Sequence, residues 1–237
     1  MSIHAGHRQR LKERFRKEGL ENFDELYVLE LLLYYCITRK DTNPIAHDLL
    51  NKFGSLQRVL EADKKELMQI EGIGEHAAVF LSLIREVGRY YQVQSSQIGN
   101  ILTSVDQCGK FMRPYFFGRD KETVYLLCLD AKCKVLCCKK VEEGSVNSAN
   151  ISVRKVVEAA LSANASSVVL GHNHPGGLAL PSGEDVQTTK RLSNALQLVD
   201  ITLVDHLIFA DNDFVSVAQS GLYSPFETFK LTEEEFV

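Results

Sequence analysis

The sequence predicts a two-domain protein, with an all-α N-terminal domain and an α/β (α+β) C-terminal domain. Three observations lead to this fold class. Up to about residue 96, apolar side chains recur at helical spacings and strand-like runs are missing. A polar stretch at residues 92–100 is typical of a linker. Beyond it, short apolar runs predict strands that alternate with two amphipathic helices. We therefore expect domains at residues 1–96 and 101–223, followed by a tail at residues 224–237.

Each element follows from its local pattern. In the N-terminal half, helices are predicted over residues 25–37, 44–53, 55–60, 64–70 and 75–91. In the C-terminal half, strands are predicted over residues 124–129, 135–141, 167–172, 201–210 and 214–217. Helices are predicted there over residues 152–164 and 182–198. Strands mixed with two amphipathic helices indicate an α/β or α+β domain.

Composition excludes several classes of protein. The 237 residues are 45% hydrophobic and 24% charged, with a net charge of −4, as in ordinary globular domains. No apolar run approaches the roughly 18 residues that a membrane-spanning helix needs, and no secretory signal is recognised. The six cysteines show no Cys-x-x-Cys spacing. We expect a cytoplasmic protein with reduced thiols and no membrane partner.

The segment from residue 171 to residue 185 reads GHNHPGGLALPSGED and carries the strongest chemical signal. His172 and His174 are two residues apart at the end of an apolar run, so in a strand both imidazoles lie on one face. Pro175 and the glycines after it end the strand. By itself, a His-x-His pair at a strand end is more often a satisfied polar pair than a metal site.

The second half of the segment adds a carboxylate. Ser182-x-x-Asp185 precedes a helical pattern and is typical of a capping box at a helix start. A turn of this length also allows Asp185 to fold back toward the two imidazoles. Two histidines and one carboxylate, with a fourth position left to water, are the ligands of a catalytic zinc ion. The combination therefore favours a Zn²⁺ site at His172, His174 and Asp185, on a capped helix start.

The spacing of these residues resembles the JAMM signature of MPN-domain metalloproteases, and nearly the whole chain resembles the bacterial RadC family. Further similar phrases are GHRQRL at residues 6–11, ELLL at 30–33, RKDTNP at 39–44, FGSL at 53–56, GIG at 72–74 and DH at 205–206. The resemblance implies an MPN/JAMM-type zinc hydrolase domain, which would act as a metallopeptidase or isopeptidase on a protein or peptide substrate.

The resemblance also implies roles for two further residues. In JAMM enzymes a glutamate from an earlier strand exchanges protons with the attacking water, and the matching position here is Glu122. A solvated residue at a strand edge is the alternative for Glu122. Ser182 would cap the helix and donate its hydroxyl to the oxyanion of the intermediate. His206 is interpreted as a packing residue of an apolar strand and is left out of the site.

A rival function comes from the N-terminal half and from the repair role that the family name implies. The turn containing Gly72 and Gly74 resembles a helix-hairpin-helix, in which backbone N–H groups approach a DNA phosphate. A tight turn that only packs two helices is the alternative. Residues 1–96 hold 14 basic and 14 acidic side chains, and Glu75 follows the turn, so only weak, non-specific DNA binding is expected. The basic segment at residues 8–17 is interpreted as a solvated arm.

Overall fold

The computed structural model describes residues 3–95, 98–144, 151–211 and 213–225. Most of the predicted tail, from residue 226 onward, lies outside these ranges. The chain divides into two compact units, Met1–Tyr90 and Tyr91–Val237. Within the described ranges, no helix combines the length and the apolar character that crossing a membrane requires. All six cysteines are free thiols.

The first unit is helical, as predicted. Its helices are α1 (Ile3–Glu18), α2 (Glu25–Cys36), α3 (Asn43–Phe53), α4 (Leu56–Glu61), α5 (Lys64–Leu67) and α6, which begins at Glu75 and continues to Ser95. Leu29 and Leu33 of α2, Leu49 of α3 and Leu81 of α6 are fully buried in one apolar core. Burial of this shared core, rather than helix propensity, holds such short helices in place.

The basic segment near the N-terminus differs from its predicted form, because it is the helix α1 and not a solvated arm. The Arg8 guanidinium donates hydrogen bonds to the carbonyl oxygens of Ile37 and Thr38, both at 2.9 Å, just after α2. The Arg14 guanidinium donates to the carbonyl oxygen of Asn22 at 2.6 Å. These two cations therefore bond to backbone carbonyl oxygens in the connections that follow α2 and α1.

Gly72 has a packing role in the turn before α6. Its φ of +92° belongs to the left-handed region, and a Cβ at this position would lie 2.6 Å from the Ile45 Cδ1 atom. A side chain at Gly72 would therefore meet both backbone strain and a clash with α3. The alternative of a tight packing turn accounts for this glycine without a ligand.

The second unit is a mixed five-stranded sheet with helices on both faces. Its elements are α7 (Val105–Phe116), β1 (Glu122–Leu129), β2 (Val135–Gly144), α8 (Val153–Ser162), β3 (Ser167–Asn173), α9 (Gly183–Gln197), β4 (Thr202–Ala210) and β5 (Asp213–Ser216). The strand order is β2-β1-β3-β4-β5. Among the described strands only β3 and β4 pair in parallel, and α9 supplies the crossover that a parallel pair requires.

The two faces of the sheet bury separate apolar clusters. Alternate residues of β1, such as Val124 and Leu126, pack with α8 and α9. The intervening residues, such as Tyr125 and Leu127, pack with α7. The sequence did not predict α7, since Gly109 and Pro114 both disfavour a helix interior. The chain forms a helix there because its apolar face covers the sheet.

Candidate metal centre

The end of β3 places two imidazoles on the face of the sheet that α8 and α9 cover. His172 pairs with Val124 of β1 and with Ile208 of β4, and both partners belong to the core on that face. His172 is 3% exposed. His174, two residues further, is only partly buried, at the point where the strand gives way to the turn. The alternation predicted from the sequence therefore gives the two rings a common direction.

The first turn of α9 supplies the carboxylate. The predicted capping box is present: Ser182 Oγ accepts a hydrogen bond from the backbone N–H of Asp185 at 3.1 Å. The Asp185 Oδ2 atom accepts from the backbone N–H and from the hydroxyl of Ser182, both at 2.7 Å. The Oδ2 atom of Asp185 is thus part of the capping box at the start of α9. These hydrogen bonds orient the carboxylate so that its Oδ1 atom faces the histidines.

The three side chains converge on one point. The Nε2 atoms of His172 and His174 are 2.8 Å apart, and His172 Nε2 lies 3.2 Å from Asp185 Oδ1. His174 Nε2 lies 3.7 Å from Asp185 Oδ2. One ligand atom from each residue falls within 4.8 Å of the others. Zinc–ligand bonds of about 2.0–2.2 Å in a tetrahedron separate ligand atoms by about 3.3 Å, so this arrangement fits a metal ion.

The Asp185 Oδ1 atom also indicates that a metal ion fits between these three side chains. Asp185 is 0% exposed, and its Oδ1 atom is buried without a partner in hydrogen-bonding geometry. A buried carboxylate oxygen without a partner carries a desolvation cost of a few kcal/mol unless something satisfies it. A cation between Oδ1 and the two imidazoles would satisfy it. The donor set therefore fits a divalent metal that accepts nitrogen and oxygen ligands.

The electrostatics of the centre favour an ionised Asp185. Burial by itself raises the pKa of this carboxyl, but its electrostatic interaction with the neighbouring His172 lowers it. The two hydrogen bonds from Ser182 lower the pKa further, and the balance holds it well below the ordinary value. The carboxyl is therefore ionised at neutral pH, as a metal ligand must be.

Glu122 begins β1, next to the strand that carries the histidines. Because Val124 pairs with His172 in the antiparallel register, Glu122 lies one side-chain pair further along the same face. Its side chain is half-buried, and it is not one of the three groups that converge on the metal position. Within the described ranges its carboxylate makes no hydrogen bond or ion pair. The structure thus places Glu122 beside the three convergent residues without making it a ligand.

Two family models match the chain over most of its length. The model of the RadC-like JAB domain matches residues 102–222, and the model of the UPF0758 N-terminal region matches residues 4–79. The chain belongs to the RadC family. The first model spans the sheet, α7, α8, α9 and all three convergent residues, so the family domain is the unit that holds the candidate metal centre.

Curated relatives of the RadC-family chain match it over nine tenths of its length or more. A UPF0758 protein of Fusobacterium nucleatum is 31% identical, with 92% of this chain and 97% of the relative covered. UPF0758 proteins of Cellvibrio japonicus and Saccharophagus degradans are 32% and 33% identical, each covering 90% of this chain and 95% of the relative. Their names state no activity, so the chemistry of this RadC domain has to be argued from its own residues.

Asn173 is a residue of the RadC domain that sequence reasoning missed. Its Oδ1 atom accepts a hydrogen bond from the backbone N–H of Thr123 at 2.8 Å, and its Nδ2 donates to the carbonyl oxygen of Lys121 at 3.1 Å. These backbone groups flank Glu122, so the Asn173 side chain holds the start of β1 in place. Asparagine is depleted in strands, and a buried one between two histidines was the available signal.

His206 is the second residue that sequence reasoning missed. It lies on β4, 0% exposed, with its Nε2 2.8 Å from His172 Nδ1 and its Nδ1 2.6 Å from the hydroxyl of Thr189. Burial lowers the pKa of His206 well below its ordinary value, and the neighbouring His172 lowers it further, so the ring is neutral. The interpretation as a packing residue was incomplete, because a buried polar ring in an apolar strand needs hydrogen-bond partners.

Proposed function

We propose that the C-terminal domain is a zinc-dependent hydrolase that cleaves peptide or isopeptide bonds in protein substrates. One observation carries this proposal: the buried Asp185 Oδ1 atom lacks a hydrogen-bond partner and faces the Nε2 atoms of His172 and His174. Three protein ligands of this kind leave a fourth position open, which is the arrangement of catalytic rather than structural zinc sites. Membership of the RadC family supports the amide bond as the target.

Each residue then has a defined task. Zinc held by His172, His174 and Asp185 would supply a water with a pKa near ~7. The Glu122 carboxylate would take a proton from that water and return it to the leaving nitrogen, since an amine leaves only after protonation. Asn173 fixes the peptide groups on both sides of Glu122 and so limits where that carboxylate can reach.

Ser182 has one task that the structure shows and one that is proposed. Its hydroxyl donates to Asp185 Oδ2, which orients the carboxylate. As a donor to an oxyanion, the same hydroxyl would have to rotate away from Asp185, because a serine has only one O–H to give. Removing such a donor typically costs about 10²–10³-fold in turnover.

Cleavage by the full-length chain should depend on zinc. We expect hydrolysis of quenched fluorescent peptides, or of isopeptide-linked pairs, to stop after dialysis against a chelator. One equivalent of zinc per chain should restore it, with metal content measured in parallel. A chain that binds one zinc and cleaves no peptide or isopeptide bond in a broad substrate library would contradict the hydrolase assignment while leaving the metal site intact.

A second proposal concerns DNA, with the exposed basic face of α1 as the supporting observation. Arg10, Arg16 and Lys17 are exposed and, within the described residues, take part in no hydrogen bond or ion pair. Gly74 is exposed at the start of α6, where backbone N–H groups could meet a phosphate. We propose that two parts of the N-terminal unit make weak contacts with DNA phosphates. They are helix α1 and the helix-hairpin-helix-like turn that contains Gly72 and Gly74.

Such binding should be weak and steeply dependent on salt. We expect dissociation constants of ~10⁻⁴ to 10⁻⁶ M at physiological salt, without sequence preference, because released counterions supply most of the free energy. Replacing Arg10, Arg16 and Lys17 together by glutamine should abolish most of this binding in a fluorescence-anisotropy titration and leave the zinc content unchanged. Nanomolar, sequence-selective binding at physiological salt would overturn this expectation and favour a repair function.

A further inference from the structure

We propose that Thr189 and His206 are positioning residues that fix the tautomer of His172, so that its Nε2 lone pair faces the metal position. The proposal rests on the metal centre of the proposed function but not on the reaction catalysed there. It follows from the directions that three consecutive hydrogen bonds must take.

The first direction is set by a backbone carbonyl. The Thr189 Oγ1 atom lies 2.6 Å from the carbonyl oxygen of Asp185, one turn earlier in α9. A carbonyl oxygen can only accept, so the Thr189 hydroxyl donates its one proton there. Toward His206 Nδ1, also at 2.6 Å, the hydroxyl can then act only as an acceptor. The proton between Thr189 and His206 therefore belongs to the His206 Nδ1 atom.

The second direction follows from the chemistry of a neutral imidazole, which carries one N–H. His206 is fully buried, and no carboxylate is among its described hydrogen-bond partners. With its proton on Nδ1, its Nε2 atom accepts, and the partner at 2.8 Å is His172 Nδ1. His172 therefore carries a proton on Nδ1, and in the neutral ring the Nε2 lone pair points toward Asp185 Oδ1.

The tautomer of His174 is set by a single direct hydrogen bond. Its Nδ1 atom lies 3.2 Å from the carbonyl oxygen of Leu178, so Nδ1 donates there. The Nε2 lone pair is then the one that a metal would take, in place of the proton that the 2.8 Å contact with His172 Nε2 requires in the metal-free chain. Both ligand rings are thus oriented by a carbonyl oxygen of the backbone. For His174 the carbonyl is in direct contact, whereas for His172 it acts through His206 and Thr189.

The opposite direction would disable the site. A proton on His206 Nε2 would be donated to His172 Nδ1, and His172 would then carry its own proton on Nε2, where the metal should bind. Hydrogen bonds to the outer nitrogen of a ligating histidine typically contribute 10–100-fold to metal affinity. The Thr189 hydroxyl therefore contributes to metal binding without touching the metal position.

The tautomer can be read directly in the metal-free, full-length chain. With ¹⁵N-labelled histidine, two-bond ¹H–¹⁵N correlation spectra distinguish Nδ1–H from Nε2–H rings. We expect His206 to be the Nδ1–H tautomer in the wild type. We expect a change toward Nε2–H in Thr189→Val, where the acceptor for Nδ1–H is gone. An Nε2–H ring at His206 in the wild type would overturn the proposal.

Zinc affinity, measured by competition with a chromophoric chelator, gives an independent readout. Thr189→Val should bind zinc roughly 10–100-fold more weakly. Thr189→Ser, which keeps the hydroxyl, should stay close to wild type, as should Ser193→Ala, which removes a buried hydroxyl of α9 that contacts Tyr223 instead. Wild-type affinity in a folded Thr189→Val chain would contradict the proposal. If that variant does not fold, the wild-type tautomer decides. A wild type that binds zinc but hydrolyses nothing would refute the proposed function. The His206 tautomer and the zinc affinity of Thr189→Val would still test the positioning roles of Thr189 and His206.

Discussion

His174→Ala is expected to remove most of the bound zinc while leaving the C-terminal sheet folded. The imidazole is one of the three convergent groups proposed to hold the zinc, and it is partly exposed just after the end of β3, so its removal costs little packing. The loss of zinc affinity should exceed the roughly 10–100-fold that follows from losing an outer-shell partner. Metal content after gel filtration and the circular dichroism spectrum of the variant measure the two effects separately.

His76→Ala provides a matched control, because His76 is exposed on α6 and far from the ligands in the sequence. It should keep one zinc per chain. Asp185→Asn should also lose metal, since it removes the charge while retaining a side-chain oxygen for the helix start. Full zinc occupancy in His174→Ala would show that the metal, if bound, has other ligands.

Glu122→Gln should separate catalysis from metal binding. The amide is nearly isosteric with the carboxylate but cannot carry a proton between the attacking water and the leaving nitrogen. Turnover should fall by roughly 10²–10⁴-fold, the usual contribution of a general acid–base group, while zinc content stays at the wild-type level. Steady-state kinetics on a substrate found with the wild type, together with metal analysis, measure both quantities.

Glu158→Gln is the control for this change, because Glu158 is an exposed carboxylate on α8 that pairs with Arg154 at 2.7 Å. It should leave both turnover and zinc unchanged. Two results would count against the assignment of Glu122. Loss of zinc would make it a ligand, and undiminished turnover would transfer the role to another carboxylate.

The sequence predicted the parts of the site that depend on local spacing. Strand alternation placed His172 and His174 on one face, and the capping box placed Asp185 in the first turn of α9. The helical N-terminal half and the α/β (α+β) C-terminal half followed from the change in apolar periodicity, and the structure confirms both. Each of these features needs only residues within one element or across one turn.

The missed features depend on contacts between elements that are distant in the sequence. His206 meets His172 because β4 pairs in parallel with β3, 34 residues later. Asn173 reaches back to the start of β1 across 50 residues. Helix α1 was interpreted as a solvated arm because nothing local shows that Arg8 binds carbonyl groups beyond the end of α2. Such partners become visible only when the topology is known.

In the exposed turn at residues 175–181, backbone atoms contact the candidate metal centre, whereas leucine side chains form the exposed surface. It joins His172 and His174 to Asp185, and its described hydrogen bonds with these three residues use backbone atoms of the turn, the carbonyl oxygen of Leu178 and the N–H of Gly177, both toward His174. Every residue type has a carbonyl oxygen, whereas the side chains of Leu178 and Leu180 extend into solvent beside the metal position. Substitutions at Leu178 and Leu180 can therefore change the surface of this turn, at constant loop length, while the arrangement of His172, His174 and Asp185 is kept.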